Sequence, residues 1–294
     1  MTRILAATLK LAACLALGLA LSAAPRIAHA TPSKDACNGM LEWSPDFSTI
    51  GVYGPGTWCM DHDIVVATDY VDQSFALVTV HMDDITIDCR GHLLEYTGTS
   101  YFSYGIVPQD GSQRLTVRNC RFRGFTTAVY ASGDGYLIED NVVDASRGSP
   151  FGDGTAISGT GSGTIRRNRI HDAIGRGIYA DGSANVTDNL VDGVTDVAFG
   201  RQAIGIQVDM AEAAEVSRNT IRGLLPSNES EQHIAIMINS DVGGARTRVE
   251  DNVLVEDGLG GSIGVFCNAN ARVSDNVITG FFGGTASCGD VADN

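Results

Sequence analysis

Lysine is almost missing from this chain, C-x-x-C spacing is missing altogether, and past residue 30 no apolar run approaches bilayer length. Each absence excludes something. From residue 31 onward one lysine and 16 arginines face 35 Asp plus Glu, a balance of −18 with His neutral. Nucleic acid is thereby excluded as a partner. The same field favours a neutral ligand, or an acidic one bridged by a divalent cation. A spanning helix needs about 18 uninterrupted apolar residues, so no membrane-spanning helix is expected past residue 30. Aromatics are only 7% of the chain against 35 glycines, a balance that favours turns over a large globular core.

Residues 1–30 carry Arg3 and Lys10, then a Leu/Ala run, then Ala28-His29-Ala30. This predicts a secretory signal peptide cleaved near Ala30 and a secreted or periplasmic product. Removing Cys14 with that segment leaves Cys37, Cys59, Cys89, Cys120, Cys267 and Cys288. An even number in an oxidising compartment predicts disulfides, with 15 connectivities open.

What the chain has in abundance is one motif. VTDNLV starts at Val186, VEDNVL at Val249, VSDNVI at Val273 and IRRNRI at Ile165. Aligning them gives Asn141, Asn168, Asn189, Asn219, Asn252 and Asn276, with Cys120 in the same place and spacings of 21 to 33 residues. A small residue followed by a branched one interleaves, as in Gly177-Ile178, Gly205-Ile206 and Ala235-Ile236. Two short alternating segments per period, cut by Gly, Asp and Ser, read as strands and turns. A period of this size signals a solenoid. A six-residue rhythm and the G-G-x-G-x-D nonapeptide are absent, and the glycine-punctuated second half argues against leucine-rich repeats. The expected fold is all-β, a right-handed parallel β-helix, with the asparagines stacked as a structural ladder that satisfies buried turn amides.

GTWCMDHDIVV (56–66), FALVTVHMDDITIDCRGHLL (75–94) and the seven later coils resemble β-helix proteins of the pectate-lyase-like superfamily over residues 50–290. The resemblance implies a coil domain over 61–290, an N-terminal cap over 31–60 and a short cap after Phe281. Cys267 with Cys288 would then face each other on adjacent coils, with Cys37–Cys59 and Cys89–Cys120 completing a set. Activities in that group span polysaccharide lyases, glycoside hydrolases, uronate epimerases, esterases and adhesins.

Insertions fall mostly at the corner after the asparagine strand, and loops carry function. They predict a groove using Asp153, His171, Arg176, Arg201 and His233 as candidate catalytic residues on an extended polysaccharide or cell-envelope glycan. An arginine would neutralise a uronate while a histidine takes the sugar's proton. A hydrolytic version would use carboxylates such as Asp153 and Asp196 instead. Against these roles, His171 fits a solvated corner, His233 a strand start, and Arg166, Arg167 and Arg169 a solvated face. Asp61-His62-Asp63 and Asp83-Asp84 are candidate calcium ligands without loop-ligand spacing. No catalytic signature of the superfamily maps onto the chain. The competing reading is a non-catalytic solenoid that binds glycan or builds the envelope.

Overall fold

Branched apolar residues two apart, interrupted by residues that tolerate tight turns, make strands too short to bury anything alone; stacked coil on coil, they share one interior. The computed structural model describes residues 37–292 except 47, 68–73, 110, 149–153, 196–201, 211–212, 226–231, 240–246, 257–260 and 269. The expected signal segment, Asp153, Asp196 and Arg201 lie outside the described residues. Among the described residues no helix is long and apolar enough to cross a membrane.

The strands form three parallel ladders, so each coil has three faces. One coil shows the plan. Arg176–Asp181 lies on the first face, Ala184–Thr187 on the second and Leu190–Thr195 on the third. Each pairs in parallel with its counterpart one coil on: Ala203–Asp209, Glu215–Ser217 and Thr220–Leu225. In Thr127–Glu139 and Thr155–Arg166 the first two faces run as one strand. Inward residues of all three faces, such as Ile178, Val186 and Val191, are fully buried.

The ladder asparagines sit at the corner between second and third faces. Asn189 Oδ1 accepts from both the backbone N and the Nδ2 of Asn168 at 3.0 Å, and Asn219 Oδ1 does the same for Asn189. The chain of bonds runs from Asn141 to Asn276 without a gap. The residue before each rung, Asn119, Asp140, Arg167, Asp188, Arg218, Asp251 or Asp275, has φ between 54° and 60°. Asn and Asp tolerate that left-handed conformation best among side-chain-bearing residues, which explains the recurring Asp-Asn.

Cys120 continues the column: its backbone N donates to Asn141 Oδ1 at 3.0 Å, and its sulfur bonds Cys89 one coil away. The other two disulfides are Cys37–Cys59 and Cys267–Cys288.

Both expected caps differ in detail. Gly39–Met40, Ile50–Val52 and Gly56–Cys59 already pair in the ladders, so the coils begin before residue 61. After Phe281, Gly283–Ala286 and Asp290–Ala292 pair onto the preceding coil and extend it.

Candidate functional site

Of the five candidate catalytic residues, three are described, and the structure separates them. His171 is on the third face, in a column that runs Asp144, His171, Asp192, Arg222. Its Nδ1 is 3.8 Å from Asp192, which also binds Arg222 at 2.7 Å. Arg176 begins the first face, beyond the Gly175 corner. His233 is fully buried, so it reaches no groove: it pairs in register with the interior-facing Ala203. The proposed trio of His171, Arg176 and His233 therefore does not converge.

Elsewhere on the second and third faces, charges in register alternate in sign. Asp88, Arg118, Glu139 and Arg166 follow one another on successive coils, with contacts of 3.0 Å for Arg118–Asp88 and 2.8 Å for Arg166–Glu139. At the turns, Arg114 binds Asp83 and Asp84, Arg167 binds Asp140 and Arg218 binds Asp188. The Arg218 hydrogen bond holds the Asp188 carboxyl below its usual range, and Asp188 raises Arg218 in turn. Arg248 beside Arg272 departs from the alternation, but Arg248 is held by Glu215 at 2.8 Å. The candidate calcium ligands are similarly engaged: Asp61 with His62, Asp63 with His92, and Asp83 and Asp84 with Arg114. Among the described residues no three His, Cys, Asp or Glu are grouped to hold a metal ion.

The first face breaks this rule. Because Ile178, Ala180, Ile206 and Val208 point into the core, Tyr179, Asp181, Gln207 and Asp209 point out. Two outward columns result. One runs Tyr130, Ser158, Tyr179, Gln207, Met237, Phe266. The other runs Ser132, Thr160, Asp181, Asp209. It continues into Asn239 and Asn268, whose amides bond at 2.8 Å. Asp181 and Asp209 are directly in register. Like charges so placed in a sheet destabilise it.

Around this acid pair the side chains interlock. Arg176 Nε donates to Gln207 Oε1 at 2.6 Å, and Gln207 Nε2 donates to both oxygens of Asp209 at 3.0 Å. The Arg176 guanidinium lies 5.5 Å from the Tyr179 ring centre. Partial burial, then the Asp209 charge, push the Asp181 carboxyl above its usual range. Burial and the Asp209 and Asp181 charges likewise push the Tyr179 phenol up. Behind the wall, the Tyr136 hydroxyl is buried with no hydrogen-bond partner among the described residues. Asp181 contributes to raising that phenol too, after burial. Glycines make room for the ring: a Cβ at Gly159 would meet its hydroxyl at 2.5 Å, and one at Gly163 its Cδ2 at 2.4 Å.

Loop-centred reasoning finds Arg176 and misses Tyr179, Asp181, Gln207 and Asp209. The signal lies in the strands: G-I-Y-A-D at Gly177 and G-I-Q-V-D at Gly205 carry an acid at the same outward position of successive repeats.

A tube of parallel coils with the asparagine corner defines the class of protein. The model described as "Right handed beta helix region" matches residues 104–291, and the chain belongs to that family. No curated protein matches. Among solved structures, the chain is similar to a tailspike protein mutant of E. coli bacteriophage HK620 in complex with a pentasaccharide. Identity is 13% and the TM-score 0.45; the match covers 83% of this chain and 57% of that one.

Proposed function

We propose that the protein binds an extended, uncharged polysaccharide lengthwise along the first face. The single observation that carries this is the paired column: half-buried Tyr130, Tyr179, Met237 and Phe266 beside Ser132, Thr160, Asp181, Asp209, Asn239 and Asn268. Sugars present apolar ring faces and a rim of hydroxyls. A column with three aromatic rings, interspersed with Ser158, Gln207 and Met237, next to a strip of hydroxyl, carboxylate and amide groups answers both needs. Six coils at about 4.8 Å each place five steps, about 24 Å, between Tyr130 and Phe266. An extended chain, not a single sugar, fits that length.

The uncharged character follows from the arginines. A uronate lying on the first face needs a cation free to pair there, and among the described residues of that face the arginine present is Arg176. Arg176 is engaged by Gln207. The three disulfides suit an oxidising compartment outside the cytosol, where such glycans occur.

Affinity electrophoresis against neutral glucans and against pectate, alginate and hyaluronan tests the reading. Retardation by a neutral glycan, weakened about tenfold by Tyr179→Ala, is expected from the loss of about 1.4 kcal/mol of aromatic contact. Retardation by the acidic polymers alone sinks it.

A further inference from the structure

We infer that Asp181 and Asp209 form a glycoside-cleaving pair that works with retention of configuration at the sugar's C1. This rests on the glycan-binding reading and goes beyond it, since binding uses the two carboxylates only as hydrogen-bonding groups, a role an asparagine also fills.

Three observations carry it. The in-register placement puts the two backbones one coil apart, about 4.8 Å. Carboxyl pairs separated by about 5–5.5 Å retain configuration, whereas about 6.5–9.5 Å leaves room for the water of an inverting mechanism. Next, the two acids occupy different surroundings. Asp209 is gripped by the Gln207 amide at both oxygens, and Gln207 is held by Arg176, so that this carboxylate has a fixed direction. Asp181 has no hydrogen bond or ion pair to a described side chain, and its burial and the neighbouring charge favour its protonated form. A carboxyl that favours its proton beside a carboxylate held as an acceptor by an amide divides the pair into acid and nucleophile. Finally, neither acid is ion-paired with an arginine among the described residues, unlike Asp88, Glu139, Asp188 and Asp192 on the other faces, and a buried unpartnered hydroxyl, Tyr136, lies near enough to feel Asp181. Local rules broken together at one place mark function more often than accident.

In the first half-reaction the Asp181 carboxylic acid gives its proton to the glycosidic oxygen. The C1–O bond breaks, the leaving sugar departs as an alcohol, and an Asp209 oxygen bonds C1 as an ester. In the second, water attacks C1 while the Asp181 carboxylate takes the water proton. The ester C1–O bond breaks, Asp209 is a carboxylate again, and Asp181 is reprotonated. Water is the only co-reactant. Gln207 acts as a positioning residue through Asp209.

The test incubates the full-length protein with the neutral glycan that retards it, reading new reducing ends and, by proton NMR, the anomer formed first. Retention is expected, with Asp181→Asn and Asp209→Asn each losing about 100-fold or more of the rate while still binding. Asp192→Asn on the third face keeps the wild-type rate. Circular dichroism and binding show that the Asn variants are folded. An inverted first product overturns the proposal, as does wild-type cleavage by either Asn variant. Binding without any release of reducing ends overturns it and leaves the binding reading standing. Failure to bind any glycan overturns both.

Discussion

Asp188 and Asn189 divide one task. The aspartate turns the backbone at φ 59°, and the asparagine passes two hydrogen bonds to the next rung. Because every rung is buried and shared between coils, removing one strands groups above and below it. Asn219→Ala is expected to cost about 1–3 kcal/mol, read by urea unfolding. A loss within a few tenths of wild type would contradict the ladder's role. A single residue at the acid pair should act in the opposite sense. Asp181 is held above the ordinary carboxyl range, so the folded chain binds that proton more firmly than the unfolded chain. Its stabilisation is complete below the unfolded value and is lost as pH rises through the folded one. Asp181→Asn therefore raises the melting temperature at neutral pH, and the gain shrinks in acid. A lower melting temperature at neutral pH would remove the like-charge account.

At the scale of the coil, small residues recur before the first-face branched residue because the third face presses on them. A Cβ at Gly177 would meet the Gly205 carbonyl at 2.6 Å and Val191 Cγ1 at 2.7 Å. Gly177→Val should abolish soluble expression or lower stability by more than a cavity-free surface change would, about 1–3 kcal/mol. Reducing Cys267–Cys288, which closes 21 residues near the last coils, should cost about 3 kcal/mol in those coils, measured by hydrogen exchange with and without reductant. Uniform loss along the tube would contradict the nearest-neighbour coupling that a solenoid implies. These elements are legible in the sequence because they recur: Asn at the corner, with Cys120 in the same place, and a small residue then a branched one on the first face. The acid pair is harder to read. Asp181 and Asp209 repeat only twice, in strands whose outward residues otherwise vary, and they gain meaning only once inward and outward positions are assigned. His171 misleads for the converse reason: it looks chemically distinctive, yet it stands between Asp144 and Asp192 in a charge ladder.

Across the described residues, most charges on the second and third faces meet an opposite charge one coil away, whereas the acids in register on the first face do not. The first face is also the one with a column of half-buried aromatic residues beside polar groups. The overall negative balance, −18 past residue 30, adds a field that turns polyanions away from it. Binding of a neutral chain along that strip should also be nearly independent of ionic strength, because no counterion is displaced by it.

The most direct measurement is calorimetric titration with a size series of one neutral oligosaccharide, on the wild type, Tyr130→Ala, Phe266→Ala and Arg222→Ala. The account predicts affinity that climbs with length until the chain spans about 24 Å, with Tyr130→Ala and Phe266→Ala each flattening the climb from its own end and Arg222→Ala leaving it intact. An affinity already complete at the disaccharide, or one lost only with Arg222, would contradict it.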